Sequence, residues 1–260
     1  MKVGYTTKSS NTAKSSKPRV VPPIPFERAN ADNVSKDKLS CFKLRSDPSD
    51  ASSFTYELSV RYYNDGTPEE WLLFLKAVKE VLRGQGITTG PPAFSMYRRL
   101  LKGDALAQFN AAATNMTESI ANLTLVLQQV TTHVFPDKAL VKQRVYMNRY
   151  LRKTMQVKMR QYMARWQEMN QYLNLFPPFA PNQAFTEDDL KEQLYANLPA
   201  VFTSQMRRLK HDILTETLAS TIEFCESIEE AQEMDGTTTC LLYTSPSPRD
   251  GATSRMPSSA

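Results

Sequence analysis

Apolar residues repeat every three or four positions along most of the chain after residue 67, a pattern typical of helices with one buried face. The first such segment opens with Thr67-Pro68-Glu69-Glu70, where Thr67 suits a helix cap, Pro68 suits the first helical position and Glu70 completes a capping box. Its apolar stripe consists of Trp71, Leu75, Val78 and Leu82. Gly84 and Gly86 mark the end of this predicted helix.

The rest of the chain predicts seven or eight more helices. They cover residues 93–102, 104–113, 117–133, 137–153, a segment ending at 175, and residues 186–198, 200–214 and 216–234. Asp137 is the candidate cap of the fifth helix, and no Gly or Pro separates the fifth from the sixth, so one continuous helix remains possible there. The fold class expected is an all-α bundle of about eight to nine helices, which Phe135-Pro136 divides into two lobes, 54–135 and 136–235.

The two ends of the chain differ from this pattern. Residues 1–53 are rich in Ser, Lys, Pro, Asn and Asp, and we expect a disordered basic arm. Residues 54–63 alternate apolar and polar side chains and predict a short strand, which lies along the helices or pairs as a small hairpin. Residues 236–260 are expected to be unstructured.

Charge and cysteine content narrow the class of protein. The formal net charge is +5, but residues 1–53 alone contain 10 Lys/Arg and 5 Asp/Glu, so the basic character belongs to the predicted arm. No apolar run of about 18 residues is present, which argues against a membrane span. The three cysteines are widely spaced and predict neither disulfides nor a metal site, so we expect a reducing, cytoplasmic location.

Residues that could carry enzyme chemistry are scattered. The only histidines, His133 and His211, have no metal-ligand spacing to a Cys, His or carboxylate. Gly84-Gln85-Gly86 is better explained as a helix end than as a phosphate loop. The sequence therefore predicts a protein that is not an enzyme and has no cofactor, no metal and no small-molecule substrate.

A basic stretch is the strongest candidate for binding. Residues 138–165 contain no acid and nine basic residues, interleaved with Tyr146, Tyr150 and Tyr162. The basic residues are Lys138, Lys142, Arg144, Arg149, Arg152, Lys153, Lys158, Arg160 and Arg165. Such helices bind RNA or another polyanion, yet they also pair with acidic helices within a chain or between subunits, or simply face solvent. Glu223, Glu226, Glu229, Glu230 and Glu233 offer such partners.

The order of several motifs resembles the capsid region of Gag proteins from long-terminal-repeat retrotransposons. The motifs are EEWLLFLKAV at 69–78, LLKGDALAQF at 100–109, HVFP at 133–136, VKMRQYMARWQEM at 157–169, FTEDDLKEQLYANLP at 185–199 and the last helix TLASTIEFCESIEEAQE at 217–233. The positions that carry the resemblance are Trp71, Leu101, Gly103, Ala105, Phe135, Pro136, Tyr162, Trp166, Leu198 and Pro199. The Trp that often opens the family's fourth helix is missing, since this chain has only Ile120 and Leu123 there, and the Gly common before Leu-Pro is Asn197 here. These departures leave the subfamily open.

The resemblance implies a two-lobed helical capsid protein that self-assembles into virus-like particles around retrotransposon RNA. Members of the family often carry a zinc knuckle after the capsid region. Two other classes remain open. One is a domesticated Gag-like binding or adaptor module, and the other is an unrelated helical nucleic-acid-binding protein.

Residues 240–260 resemble the translation of a transposase-type sequencing-library adapter. CLLYTSPSPRD at 240–250 and SRMPSSA at 254–260 match the translated adapter, and residues 251–253 take the place of the sample index. We therefore expect these residues to be non-native and the natural protein to have been cut near Thr239.

Overall fold

The chain is mostly helical in the computed structural model, which describes residues 21–28 and 38–242, with side chains up to Met234. In these ranges there are nine helices and one two-stranded sheet. The helices are α1 Pro68–Gly84, α2 Gly90–Leu100, α3 Gly103–Ala113, α4 Ile120–Val134, α5 Ala139–Arg149, α6 Met159–Leu173, α7 Glu187–Asn197, α8 Ala200–Arg208 and α9 Leu218–Leu242. The helical fold class is thus confirmed, with a small sheet added to it.

The capping box predicted at Thr67 forms at α1, and a second capping box forms at α7. Thr67 accepts a hydrogen bond from the Glu70 backbone, and the Glu70 carboxylate accepts one from the Thr67 backbone in return. Thr186 and Asp189 form the same reciprocal pair at α7. The cap predicted at Asp137 is wrong, because Lys138 occupies the cap position of α5 in a left-handed conformation.

The predicted strand pairs as a hairpin with residues that the sequence analysis assigned to the disordered arm. β1, Leu39–Arg45, runs antiparallel to β2, Thr55–Arg61. Ser40, Phe42 and Leu44 of β1 are buried while their neighbours are more exposed, so β1 has the alternation of a strand with one buried face. The arm prediction is therefore wrong for residues 39–45, and residues 1–20 and 29–37 of that arm lie outside the described residues.

A second part of the predicted arm, residues 21–28, packs against α5. Ile24 is fully buried, its N–H donates to Gln143 Oε1 at 2.9 Å, and Gln143 Nε2 donates back to the Ile24 carbonyl at 2.9 Å. The Phe26 N–H donates to the Tyr146 hydroxyl at 3.2 Å. One buried amide side chain thus satisfies both polar backbone groups of Ile24, which would otherwise be buried at a cost.

We expect Gln143→Leu to release residues 21–28 from α5. The change removes both hydrogen bonds to Ile24, and each buried group left unpaired costs about 1–3 kcal/mol. Hydrogen–deuterium exchange read by mass spectrometry should show about tenfold faster exchange in peptides covering these residues. Asn148→Leu, an exposed change on the same helix, is the control and should leave that exchange unchanged. Equal exchange in both variants would contradict the anchoring role of Gln143.

The described part of the chain divides into two compact units. Within the described residues, the first comprises 21–28, 38–150 and Leu175–Ala180, and the second comprises Leu151–Asn174 and 181–242. This division lies after α5, whereas the sequence analysis placed the lobe boundary at Phe135-Pro136. The residues of α5 therefore belong to the first unit and not to the second.

An aromatic cluster forms the core of the first unit. The Trp71 ring lies 4.9 Å from Tyr63 and 5.6 Å from Phe74, and its indole N–H donates to Thr131 Oγ1 at 2.8 Å. Burial raises the pKa of Tyr63 to about 12, so its hydroxyl stays neutral. Phe135 packs edge-on against Phe176 at 4.6 Å, which explains why the Phe of the Phe-Pro motif is buried.

A non-helical segment separates α5 from α6, so the continuous helix left open by the sequence does not form. Helix α5 ends at Arg149 and α6 begins at Met159. Between them Leu151 and Lys153 are buried, and the Lys153 N–H donates to the Asn197 carbonyl at 3.1 Å. These contacts with residues far along the chain stabilise the non-helical backbone against the local helical tendency.

Helix α9 extends beyond the point where the sequence analysis expected unstructured chain. It continues to Leu242, so that expectation is wrong for residues 236–242, while residues 243–260 lie outside the described part. Each residue that extends a helix adds one backbone hydrogen bond, and no proline interrupts the chain between α8 and Pro246. Helix α9 can therefore continue past residue 235.

Candidate functional site

The predicted basic stretch does not form one continuous surface on one helix. Lys142, Arg144 and Arg149 lie on α5 in the first unit, with Lys138 at its cap. Arg152, Lys153, Lys158, Arg160 and Arg165 belong to the second unit. The two groups therefore have different surroundings.

The centre of the second group is a buried ion pair between Lys153 and Glu229. Lys153 Nζ lies 2.7 Å from Glu229 Oε1, and their side chains are 0% and 9% exposed. The Met159 N–H donates to both Glu229 oxygens at 3.0 Å, at the first residue of α6. The Lys153 ammonium also lies 5.1 Å from the Phe202 ring centroid. Because α6 has no side-chain cap of its own, Glu229 supplies one from α9.

Two exposed ion pairs flank this buried one. Arg160 donates to both carboxylate oxygens of Glu226 at 2.8 Å, and Lys158 pairs with Glu233. Side-chain hydrogen bonding to these carboxylates raises the pKa of Arg160 and of Lys158. Three cations of the basic stretch are thus bound to α9, in the helix-to-helix pairing that the sequence offered as an alternative to RNA binding.

Arg165 has a partner that the sequence analysis missed. Its guanidinium Nη1 donates to Glu168 Oε2 at 2.7 Å, and the Arg165 side chain is largely buried. The spacing of Arg165 and Glu168 in the sequence could have predicted this pair, because residues three apart on a helix lie on the same face. Glu168 was overlooked since it lies just beyond the acid-free stretch.

The other cations remain at the surface. Lys138 and Arg149 are exposed and Lys142 is half-buried, and the three follow one face of α5 at spacings of four and seven residues. Arg144 is half-buried on the same helix, and Arg152 is exposed in the second unit. Within the described residues, no ion pair forms at Lys138, Lys142, Arg149 or Arg152.

The interleaved tyrosines have unequal access to a ligand. The Tyr146 hydroxyl accepts the Phe26 N–H, and the buried Tyr162 donates to the Leu151 carbonyl at 2.9 Å. Tyr150 is the most exposed residue of the three, at 44%. Of these tyrosines, Tyr150 is therefore the one placed to stack on a base.

The residues that carry the family resemblance mostly serve the cores of the two units. Trp71, Leu101, Ala105, Phe135, Tyr162, Trp166 and Leu198 are buried, whereas Pro136 is exposed and Pro199 caps α8. Gly103 has a positive φ of 48°, and a Cβ there would lie 1.8 Å from Asn64 Oδ1. Glycine at position 103, in the LLKGDALAQF motif, is thus required by both its conformation and its neighbour.

The groups with potential for catalysis or metal binding are dispersed. His133 contacts Asp104 at 2.8 Å on the surface, while His211 stacks on Phe224 with ring centroids 4.3 Å apart. Burial raises the pKa of the Cys225 thiol to about 12, which keeps it protonated and unreactive. Among the residues that the structure describes, no group of three His, Cys, Asp or Glu side chains is arranged to hold a metal ion.

Comparison of the chain with models of protein families, with curated proteins and with solved structures finds no match. None of the helices in the described ranges has the length and apolar character needed to cross a membrane.

Proposed function

We propose that this chain is a structural, non-enzymatic capsid protein of the retrotransposon Gag kind, which assembles with copies of itself around RNA in the cytoplasm. The proposal rests mainly on one observation: most of the residues that carry the family resemblance are buried in two compact helical units. Trp71, Gly103 and Phe135 stabilise the first unit, and Tyr162, Trp166 and Leu198 lie in the core of the second.

Exposed apolar side chains on both units support self-assembly. Leu73, Ile120, Leu125 and Val141 are exposed on the first unit, and Val201, Leu209 and Leu214 are exposed on the second. Contacts between identical subunits bury such side chains. A shell needs contacts in more than one direction, and apolar residues on several helices are suited to that purpose.

The cations that lack an acidic partner support contact with RNA. Lys138, Lys142 and Arg149 follow one face of α5, and the exposed Tyr150 lies at its end. For single-stranded nucleic acid, the logarithm of the binding constant falls with the logarithm of the salt concentration, with a slope of about −0.7 for each phosphate contact. Binding through these three cations is therefore expected to weaken clearly as the salt concentration rises.

The test is to mix the purified full chain with RNA at low and high salt and to examine it by electron microscopy and mass photometry. We expect particles at low salt, and we expect Lys142→Glu/Arg149→Glu to reduce RNA retention by about tenfold or more. Lys76→Glu/Lys79→Glu, two exposed changes on α1, is the matched control with the same change in charge.

Two outcomes would contradict the proposal. A strictly monomeric protein at every salt and RNA concentration would argue against a capsid. Equal loss of RNA retention in the α5 variant and in the α1 control would argue for binding through overall charge and not through α5.

A further inference from the structure

A Pro-rich segment near the N-terminus has the spacing of a ligand for SH3 domains. The sequence from Arg19 reads Arg-Val-Val-Pro-Pro-Ile-Pro, so Arg19, Pro22 and Pro25 follow one another at steps of three residues. SH3 domains bind left-handed polyproline II helices, in which residues three apart lie along the same edge. Val21 and Ile24 each precede one of these prolines. Two aliphatic-proline pairs suit two aromatic-lined pockets, and an arginine suits an acidic pocket at one end.

The structure holds the same segment, from Val21 onward, in a shape that an SH3 domain cannot bind. The backbone bends at residues 23–24 and again at residues 26–27, whereas a polyproline II helix is straight. The Ile24 side chain is fully buried, and Gln143 of α5 exchanges two hydrogen bonds of 2.9 Å with the Ile24 backbone. One of the two aliphatic side chains that an SH3 domain needs is therefore already bound within the chain.

The other described residues of the motif are accessible. Val21 is 78% exposed, Pro25 is exposed and Pro22 is half-buried, so burial is confined to Pro23 and Ile24. Because the segment belongs to no helix or strand, its release from α5 breaks no hydrogen bond of the regular elements. Release of this short stretch would thus complete the ligand while the helices stay formed.

We propose that residues 19–25 are a docking motif for an SH3 domain of a partner protein, and that packing of Ile24 against α5 holds this motif closed. The closed and open forms are in equilibrium, and only the open form binds the partner. The apparent affinity equals the intrinsic affinity multiplied by the open fraction, so α5 controls how tightly the partner binds. Such docking is independent of capsid assembly and goes beyond the proposed function.

The experiment is isothermal titration calorimetry of the full chain with a purified SH3 domain that binds Arg-x-x-Pro-x-x-Pro peptides. Gln143→Leu removes both hydrogen bonds to Ile24, so the open fraction rises and the dissociation constant should fall by about tenfold relative to the wild type. Asn148→Leu, the exposed change on the same helix, should leave the dissociation constant unchanged. Tyr146→Phe removes only the acceptor of the Phe26 N–H and should lower the dissociation constant by about twofold to threefold, which keeps the test valid if Gln143→Leu does not fold.

Variants of the motif test whether the partner recognises this spacing. In the Gln143→Leu chain, Arg19→Ala and Pro25→Ala should each raise the dissociation constant by about tenfold or more, because each leaves one pocket of the SH3 domain empty. Pro25 is exposed, so its replacement leaves the burial of Ile24 intact. Pro18→Ala changes a proline outside the spacing and is the matched control, which should bind as tightly as its parent. Circular dichroism checks that all variants are folded.

Three results would overturn the inference. The first is a Gln143→Leu chain that exchanges hydrogen faster at residues 21–28 but does not bind the SH3 domain even at about 1 mM. The second is an equal dissociation constant for the wild type and for variants in which this segment is released. The third is binding that Arg19→Ala and Pro25→Ala leave unchanged, which would place the contact on another surface. Particle formation with RNA is a separate measurement, so the docking motif and the capsid function can each fail without the other.

Discussion

Replacement of Glu229 by alanine should destabilise the second unit by about 3–5 kcal/mol. The change leaves the Lys153 ammonium buried without its carboxylate and removes the acceptor for the Met159 N–H. A buried charge without a partner is among the costliest defects in a protein interior, because it has lost its hydration and gained nothing in return. Urea unfolding, combined with hydrogen exchange in peptides from α6 and α9, measures the effect.

Two controls make this prediction specific to the buried pair. Lys153→Met/Glu229→Gln removes both charges but keeps an acceptor for Met159, so it should recover most of the lost stability. Glu226→Ala breaks the exposed pair with Arg160 on the same helix and should change the urea midpoint far less. If Glu229→Ala and Glu226→Ala had equal effects, the buried ion pair would not be the main contributor to α6–α9 packing.

Trp71→Ala should destabilise the first unit by about 3–5 kcal/mol. Trp71 is fully buried against Tyr63 and Phe74, and its removal leaves a cavity and breaks the hydrogen bond to Thr131. The two tryptophans of the chain lie in different units, so loss of the Trp71 signal leaves Trp166 as the fluorescence probe of the second unit. Hydrogen exchange in peptides from α1 and α4 then measures the first unit.

Two further substitutions separate the contributions of Trp71. Leu73→Ala, at a 45% exposed position of the same helix, should cost only about 0.5 kcal/mol. Thr131→Val keeps the volume but leaves the indole N–H unpaired, at a cost of about 1–3 kcal/mol. A Trp71→Ala effect no larger than that of Leu73→Ala would show that the aromatic cluster is not the core of this unit.

The sequence by itself determined the features that depend on neighbours a few residues apart. Thr67 with Glu70, and Thr186 at the start of α7, specify helix starts because a cap satisfies backbone groups within one turn. The alternation in residues 54–63 predicted β2 for the same reason, since strand periodicity is local. The mostly helical fold follows from signals of this kind repeated along the chain.

Only the tertiary structure decided the features that depend on distant partners. Residues 39–45 form a strand because they pair with β2. Residues 150–158 are not helical because they make contacts such as the hydrogen bond from Lys153 to Asn197. The basic stretch was divided in the same way, because burial of Lys153 is tolerable only with Glu229 beside it. Such partners lie tens of residues away, and local spacing contains no information about which of several acids a buried cation will meet.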